Sequence, residues 1–188
     1  MLLDYHFYHF DSYFTKKFCN QVINFGKKIN LQKGVVGNND LNTSIRDSNV
    51  CFLNENWIKK EIYFLIKEAN DATWNYNLSF PENIQFTEYA LNQHYDWHVD
   101  TDVKKNSMDK IRKLSMIVAL NSSEEYEGGD VLIKNMNIFS KEDIFKLDIL
   151  KKTGSVVVFP SFLFHKVMPI VSGVRYSLVN WIRGDNFK

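Results

Sequence analysis

His98-Val99-Asp100, with His165 and Arg175 far downstream, is the set of residues best suited to chemistry in this chain. Side chains alternate along an extended strand, so His98 and Asp100 can point to one face. A third ligand from a distant strand, His165, would complete two imidazoles and one carboxylate on one face of a metal ion. Such a set leaves coordination positions open, the geometry that suits non-heme Fe(II) and its reactions with O2. Arg175, ten positions after His165, offers a planar fork that binds a carboxylate bidentately. A metal triad beside an arginine is a kit for presenting a carboxylate-bearing co-substrate to a metal ion.

Other readings of the same residues stay open. Short His/Asp pairs are common, and His98 and Asp100 can equally form a surface pair. His94 and Asp96 repeat the spacing and share a face with positions 98 and 100 if the strand is unbroken. A bulge or strand end between the pairs would separate them, and the sequence does not show one. A helical His94-x-x-x-His98 zinc site lacks the glutamate of H-E-x-x-H, and the flanking Tyr, Trp and Val favour a strand. His6 and His9 lie in an aromatic run and read as structural or exposed. Arg183 rivals Arg175, because Arg175, Ser177, Val179, Trp181 and Arg183 share one face of an extended strand. Arg175 is nearer His165 across a turn at Ser172-Gly173.

The elements that must hold these residues are short strands. Gln85–Tyr89, Tyr95–Asp100, Leu114–Asn121, Gly154–Pro160, Phe164–Pro169 and Gly173–Trp181 are apolar, β-branched runs ended by Gly, Pro or Asn. Ahead of them lies an α/β preface. Residues 5–10 read as an edge strand, and Thr15 or Ser12 caps a helix to about Lys28 with Phe18, Val22, Ile23 and Phe25 as its apolar side. Residues 31–48 read as loop and Asn49–Leu53 as a short strand. Asn56 caps a second helix from Trp57 to about Thr73, with Ile58, Ile62, Leu65, Ile66 and Ala69 spaced helically. The later strands begin near Ile84. Two long polar connections, Thr101–Lys110 and Lys134–Thr153, are either lids over a site or surface ornament. The organisation expected is a single domain, with 1–83 as support and 84–183 as the catalytic core.

Tyr89…Tyr95-x-Trp97-His98-x-Asp100, Glu127-Gly-Gly129, and His165 with Arg175-x-Ser177 occur in that order over residues 84–183. This half resembles the 2-oxoglutarate- and Fe(II)-dependent oxygenases, in their prolyl-4-hydroxylase-like branch. The resemblance implies a mainly β (α+β) fold: a double-stranded β-helix, jelly-roll or cupin-like, preceded by N-terminal helices. It implies Fe(II) on His98, Asp100 and His165, with 2-oxoglutarate and O2 as co-substrates and ascorbate as a supporting reductant. Arg175 would pair with the far carboxylate of 2-oxoglutarate, Ser177 would add a hydroxyl, and Tyr89 a phenol; Tyr89 also reads as a plain core aromatic. Ser115 is a further pocket candidate. Halogenating relatives replace the carboxylate ligand with a small residue, so an intact Asp100 points to hydroxylation.

Two positions depart from the family pattern. Asn92 stands where many relatives carry a turn glycine, and Asn tolerates left-handed backbone better than most residues. Ala119 stands where many prolyl hydroxylases carry a tyrosine facing the co-substrate, which widens the pocket there. The substrate expected is a peptide or protein, with a free amino acid or other small molecule as the alternative. Trp97, Tyr126 and Arg46-Asp47-Ser48 would line its approach. A binding-only cupin-like barrel is the non-enzymatic alternative, and release of succinate separates the two.

Composition narrows the classes further. The 188 residues suffice for one domain with a sizeable core. Apolar residues make up 45%, so a folded globule is expected. A net charge of +1 leaves no basic footprint for nucleic acid. The closing Arg-x-Asn-x-x-x-Arg run of the nucleic-acid demethylases is also unmatched by Arg175–Arg183. Cys19 and Cys51 have no metal or redox spacing and read as buried small hydrophobes. No secretory or membrane-spanning run is visible. The expected setting is the cytoplasm, which keeps iron ferrous. It would be a host's cytoplasm if the Lys- and Asn-rich composition reflects a similarity to marine viral oxygenases. Oligomeric state has no readable signal.

Overall fold

The computed structural model describes residues 5–37, 40–101, 110–136 and 143–187. Its first half carries β1 (Tyr8–Phe10), α1 (Lys16–Gly26), β2 (Gln32–Lys33), β3 (Arg46–Asp47), β4 (Asn49–Leu53) and α2 (Asn56–Ala72). Then come β5 (Leu78–Pro81), β6 (Ile84–Tyr89), β7 (His94–His98), β8 (Ile111–Ala119), β9 (Tyr126–Gly128), β10 (Val131–Lys134) and β11 (Ile144–Lys146). A 3-10 turn at Asp148–Lys151 leads to β12 (Val156–Pro160), β13 (His165–Val167), β14 (Ile170–Gly173) and β15 (Arg175–Gly184).

The strands form a double-stranded β-helix. The major sheet runs β1-β12-β8-β15-β6-β4-β2, with β5 on the end of β15, and the minor sheet runs β11-β10-β13-β7-β3. A small β14-β9 ribbon adjoins them. Alternation sorts the major sheet's side chains onto two faces. Leu114, Met116 and Val118 of β8, Val156 and Val158 of β12, and Leu178 and Ile182 of β15 join one buried cluster. That face receives the helices, through Cys19, Val22 and Ile23 of α1 and Ile58, Ile62, Leu65, Ile66 and Ala69 of α2. Gly26 lets α1 sit close, because a Cβ there would collide with the Phe86 ring. The other face, with Tyr89, Ile117, Ala119, Val157 and Phe159, packs on Val131, Ile133, Leu163, Val167 and Ile170. Burying each such aliphatic side chain contributes roughly 1.5–3 kcal/mol. Both faces of the sheet are covered, which is why its central strands read as near-continuous apolar runs.

The helix starts separate into one capped and one uncapped. Thr15 caps α1, its Oγ1 accepting from the Phe18 N–H at 3.2 Å. The second helix starts after Glu55, not Asn56, and has no side-chain cap; its apolar stripe anchors it. Residues 31–48 are more than loop, since β2 pairs β4 and β3 pairs β7. Strands begin before Ile84, because β5 pairs the end of β15. The connection 134–153 holds β11, paired to β10, and the 3-10 turn. These pieces are two to four residues long, too short to show a period. Residues 102–109 and 137–142, on which the lid reading falls, lie outside the described residues. Among the described residues no helix is long and apolar enough to cross a membrane.

Candidate metal centre and its cavity

His98 at the end of β7, Asp100 two residues beyond it and His165 of β13 converge. His165 of β13 is the cross-strand partner of His98 on β7. The next registered pair is Val167 with Tyr95, so two steps along β13 face three along β7. That extra residue is a β-bulge. It puts Tyr95 on the same side as His98, the two rings stacked with centroids 3.4 Å apart. It also removes the first pair from the centre. His94 turns to the Asn92 and Ser44 carbonyls, 3.1 and 3.3 Å away. Asp96 is exposed beside Lys166 at 3.4 Å.

The three ligand atoms lie within 4.8 Å of one another. Asp100 Oδ1 is 3.7 Å from His98 Nε2, and Oδ2 is 3.4 Å from His165 Nε2. Each imidazole has its Nδ1 at a backbone carbonyl, His98 at Asp96 (2.8 Å) and His165 at Leu163 (3.0 Å). A carbonyl only accepts, so Nδ1 carries the proton and a neutral ring's lone pair sits on Nε2, facing the carboxylate. Burial lowers the His98 pKa to about 3, with the charge of His165 adding to the shift. Burial opposes charge on Asp100 too. The facing imidazoles and the Ser115 hydroxyl outweigh it and hold the carboxyl well below its usual range. Burial likewise disfavours a charged His165, but the Asp100 carboxylate prevails and raises its pKa. An ionised carboxylate beside two Nε2 atoms is a donor set that fits a divalent first-row metal.

Arg175, Ser177 and Tyr89 lie along β15 and β6. Arg175 pairs with Tyr89 and Ser177 with Thr87 across the strands. The Arg175 Nη1 donates to Ser177 Oγ at 3.4 Å, while its buried Nη2 has no partner among the described residues. Such an unmatched cation arm costs free energy unless an anion completes it. Its guanidinium carbon is 5.8 Å from the Tyr89 ring centroid. Burial raises the Tyr89 pKa, keeping the phenol protonated. Gly129, with φ 63°, makes room for the arginine stem, because a Cβ would press on Arg175 Cδ. Arg183 is engaged elsewhere: its Nε donates to Glu82 at 2.7 Å and its Nη1 to the Lys110 carbonyl at 3.0 Å.

A cavity of about 610 Å³ opens over the triad, walled by Tyr89, Tyr95, Ile117, Val179, Trp181 and Arg46 among others. Arg175 is not in its wall. Arg46 lies over the Tyr95 ring at 4.7 Å, so guanidinium, phenol and His98 imidazole form one pile. Ser48 Oγ and the Val35 carbonyl fix Arg46 from behind, at 3.1 and 2.9 Å. Trp181 is clamped by Arg112, 4.0 Å over its ring, and Arg112 is held by both oxygens of Glu82. Two expected lining residues are elsewhere. Trp97, put outward by the bulge, lies under Lys134 and Lys166. Tyr126 is buried between the sheets near Gly129. Tyr95 and Trp181 line the cavity without any local signal that places them there; the Tyr95-x-x-His98 spacing signals a shared face only once the bulge is known.

Residues 84–183 match the model of the 2OG-Fe(II) oxygenase superfamily. The chain belongs to that superfamily. Within it, the chain is similar to a PKHD-type hydroxylase of Alteromonas mediterranea, 35% identical over 101 residues. That match covers 52% of this chain and 42% of the relative, less than half of the relative's own length. The structure resembles a Pseudomonas putida prolyl-4-hydroxylase at TM-score 0.75 and 16% identity, covering 96% of this chain and 94% of that one. It also resembles a Trichoplax adhaerens prolyl hydroxylase in complex with a hypoxia inducible factor peptide, at TM-score 0.74 and 19% identity over 94% and 83% of the two chains. At such identities the likeness shows the shared double-stranded β-helix.

Proposed function

We propose that this protein is an Fe(II)- and 2-oxoglutarate-dependent hydroxylase of the prolyl-hydroxylase type, acting on a peptide or protein. One observation carries the reading: two Nδ1-anchored imidazoles and an ionised carboxylate gathered within 4.8 Å at the floor of a cavity. His98, Asp100 and His165 hold the iron. Arg175 receives the distal carboxylate of 2-oxoglutarate on its unpartnered nitrogen, assisted by Ser177 and the protonated phenol of Tyr89. Ala119, small and buried beside Ser177, brings no phenol of its own to that end. Iron with bound 2-oxoglutarate supplies the oxidising power that converts a substrate C–H to C–OH using O2, with succinate and CO2 as by-products.

The chain's own residues do the rest. Aromatic walls at Tyr95 and Trp181 exclude water and offer flat surfaces to a ring or extended backbone. Arg46 and Arg112 stack on those rings and hold them in place. The peptide reading is supported by these walls and by the hypoxia inducible factor peptide carried by the Trichoplax enzyme. Ascorbate is expected to support turnover by keeping iron ferrous. Two free, buried cysteines fit a reducing compartment such as the cytoplasm.

Anaerobic Fe(II) with 2-oxoglutarate should give a weak visible charge-transfer band. In air, succinate release should rise with proline-containing peptides above free amino acids and nucleosides. No band and no succinate from folded protein would overturn the enzyme reading. Succinate stimulated by a free amino acid alone would overturn the peptide reading.

A further inference from the structure

We propose that Ser115 and Ser161 form a hydroxyl relay that aims Asp100 and sets the metal affinity of the centre, an inference that rests on the metal-site reading above. Ser115 Oγ donates to Asp100 Oδ2 at 2.7 Å, and the Ser115 and Ser161 hydroxyls are 2.9 Å apart. Both serines are fully buried. A hydroxyl has one proton. Ser115 gives its proton to the carboxylate, so the bond between the two serines runs from Ser161 to Ser115. The relay therefore points one way and ends on a charge, and each bond polarises the next.

The setting argues against filler. Ser115 lies between Phe159 on β12 and Trp181 on β15, on the face that two residues further along β8 carries Ile117. A hydroxyl buried among such neighbours costs free energy unless it is bonded. Its bond goes to the one carboxylate of the triad.

Ser161 does more than feed the relay. Its carbonyl accepts the N–H groups of both Asp100 (2.9 Å) and Thr101 (3.0 Å), and its own N–H donates to the Lys113 carbonyl at 3.0 Å. It therefore ties the end of β12 to β8 and to the segment just after β7. It also precedes His165 by four positions. One residue outside the metal triad thus fixes the backbone of Asp100, feeds its carboxylate contact and starts the turn that delivers His165. Torsion about a carboxylate's last bond is soft. The Ser115 proton pins that torsion, holding the carboxylate plane between the two imidazoles before metal arrives. Ser115 and Ser161 are positioning residues.

Co(II) titration of the metal-free full chain tests this, with melting curves of each variant. Partners that orient metal ligands are worth about 10- to 100-fold in metal affinity. Ser115→Ala is expected to bind Co(II) that much more weakly while remaining folded, its melting temperature lowered modestly by the partner groups left unpaired. Ser161→Ala, which keeps the backbone bonds, should show a smaller loss of the same sign. The double variant should be no weaker than Ser115→Ala, because the relay is already cut at its carboxylate end. Ser115→Thr, which keeps the hydroxyl, should recover most of the affinity. Wild-type Co(II) affinity in both single alanine variants would overturn the relay, as would a lowered melting temperature with unchanged affinity. Should Ser115→Ala not fold, Ser161→Ala and Ser115→Thr decide the matter. A wild-type chain that binds no Co(II) would overturn the metal-site reading first, and the relay with it.

Discussion

His94-Tyr95-Asp96 and His98-Val99-Asp100 have the same outer residues at the same spacing, four positions apart, across β7 and the two residues that follow it. Only the second pair meets His165. A single extra residue opposite β13 decides which. It carries His98 and Asp100 inward, where burial lowers the His98 pKa and the facing imidazoles, against burial, hold the Asp100 carboxyl well below its usual range. It leaves Asp96 exposed beside Lys166, its pKa lowered by the Trp97 backbone N–H. Motif chemistry is therefore a property of register before it is a property of residue type. Arg175 and Arg183 make the same point on β15. Both are buried, but Arg183 is held by Glu82 and the Lys110 carbonyl while Arg175 keeps a nitrogen with no partner among the described residues.

The largest expected effect separates the twin pairs. His98→Ala or Asp100→Ala should weaken Fe(II) or Co(II) binding by well over about 100-fold, beyond what loss of an outer partner costs. His94→Ala and Asp96→Ala should leave it unchanged. Metal titrations on folded variants check this, and loss of metal from His94→Ala with retention in His98→Ala would reverse the assignment.

Next comes the arginine pair. Arg175→Lys keeps the charge and loses the fork. A charge-assisted hydrogen bond contributes about 1.5–3 kcal/mol. The apparent constant for 2-oxoglutarate should then rise about 10- to 150-fold, at about 1.4 kcal/mol per decade. Iron affinity should barely move. Arg183→Lys should lower the melting temperature through the broken Glu82 contact and change 2-oxoglutarate affinity less than about twofold. Anaerobic titration of 2-oxoglutarate into each Fe(II)-loaded variant reads the difference, and equal weakening by both would take Arg175 out of the site.

Sequence made part of this legible, for physical reasons. Alternation is a property of the chain alone, so the common face of Arg175, Ser177, Val179 and Trp181 follows from spacing, as does the sharing of a face by His98 and Asp100. The helical stripe Ile58, Ile62, Leu65, Ile66, Ala69 reads the same way. The bulge was not legible, because it exists only in the pairing of β7 with β13. The Arg46–Tyr95–His98 pile and the Ser161 relay join residues distant in sequence, and no local period marks them. Short strands such as β2, β3 and β11 exist only because a neighbour pairs with them.

Tyr95→Ala tests the middle of that pile. Removing a ring stacked between Arg46 and His98 leaves a hole, and aromatic truncation in a core costs about 3–5 kcal/mol. Tyr95 is partly exposed, so a loss below that range is expected. Iron affinity should fall modestly, since His98 keeps its Nδ1 anchor on Asp96. Urea unfolding beside Co(II) titration measures both. A metal loss as deep as that of His98→Ala would mean that the stack, more than the Asp96 carbonyl, orients the imidazole.

The smallest effect belongs to the turn that feeds β7. Asn92 holds φ at 64°, a left-handed conformation that costs most residues about 1–2 kcal/mol and Asn less. Its N–H donates to the Ile170 carbonyl at 2.9 Å, and its carbonyl faces the His94 ring. The turn is therefore fastened to the outward pair and to β14, away from the triad. Asn92→Ala should destabilise by about 1 kcal/mol, because the methyl meets the strain without the side chain's local hydrogen bonding. Asn92→Gly should stay within about 0.5 kcal/mol of wild type. Glycine relieves the strain but frees the unfolded chain, and these effects oppose each other. Co(II) affinity should be the same in all three proteins, since none of the triad's contacts passes through residue 92. An affinity change in Asn92→Gly would show that the turn sets the register of β7, and that the separation of the twin pairs begins there and not at the bulge.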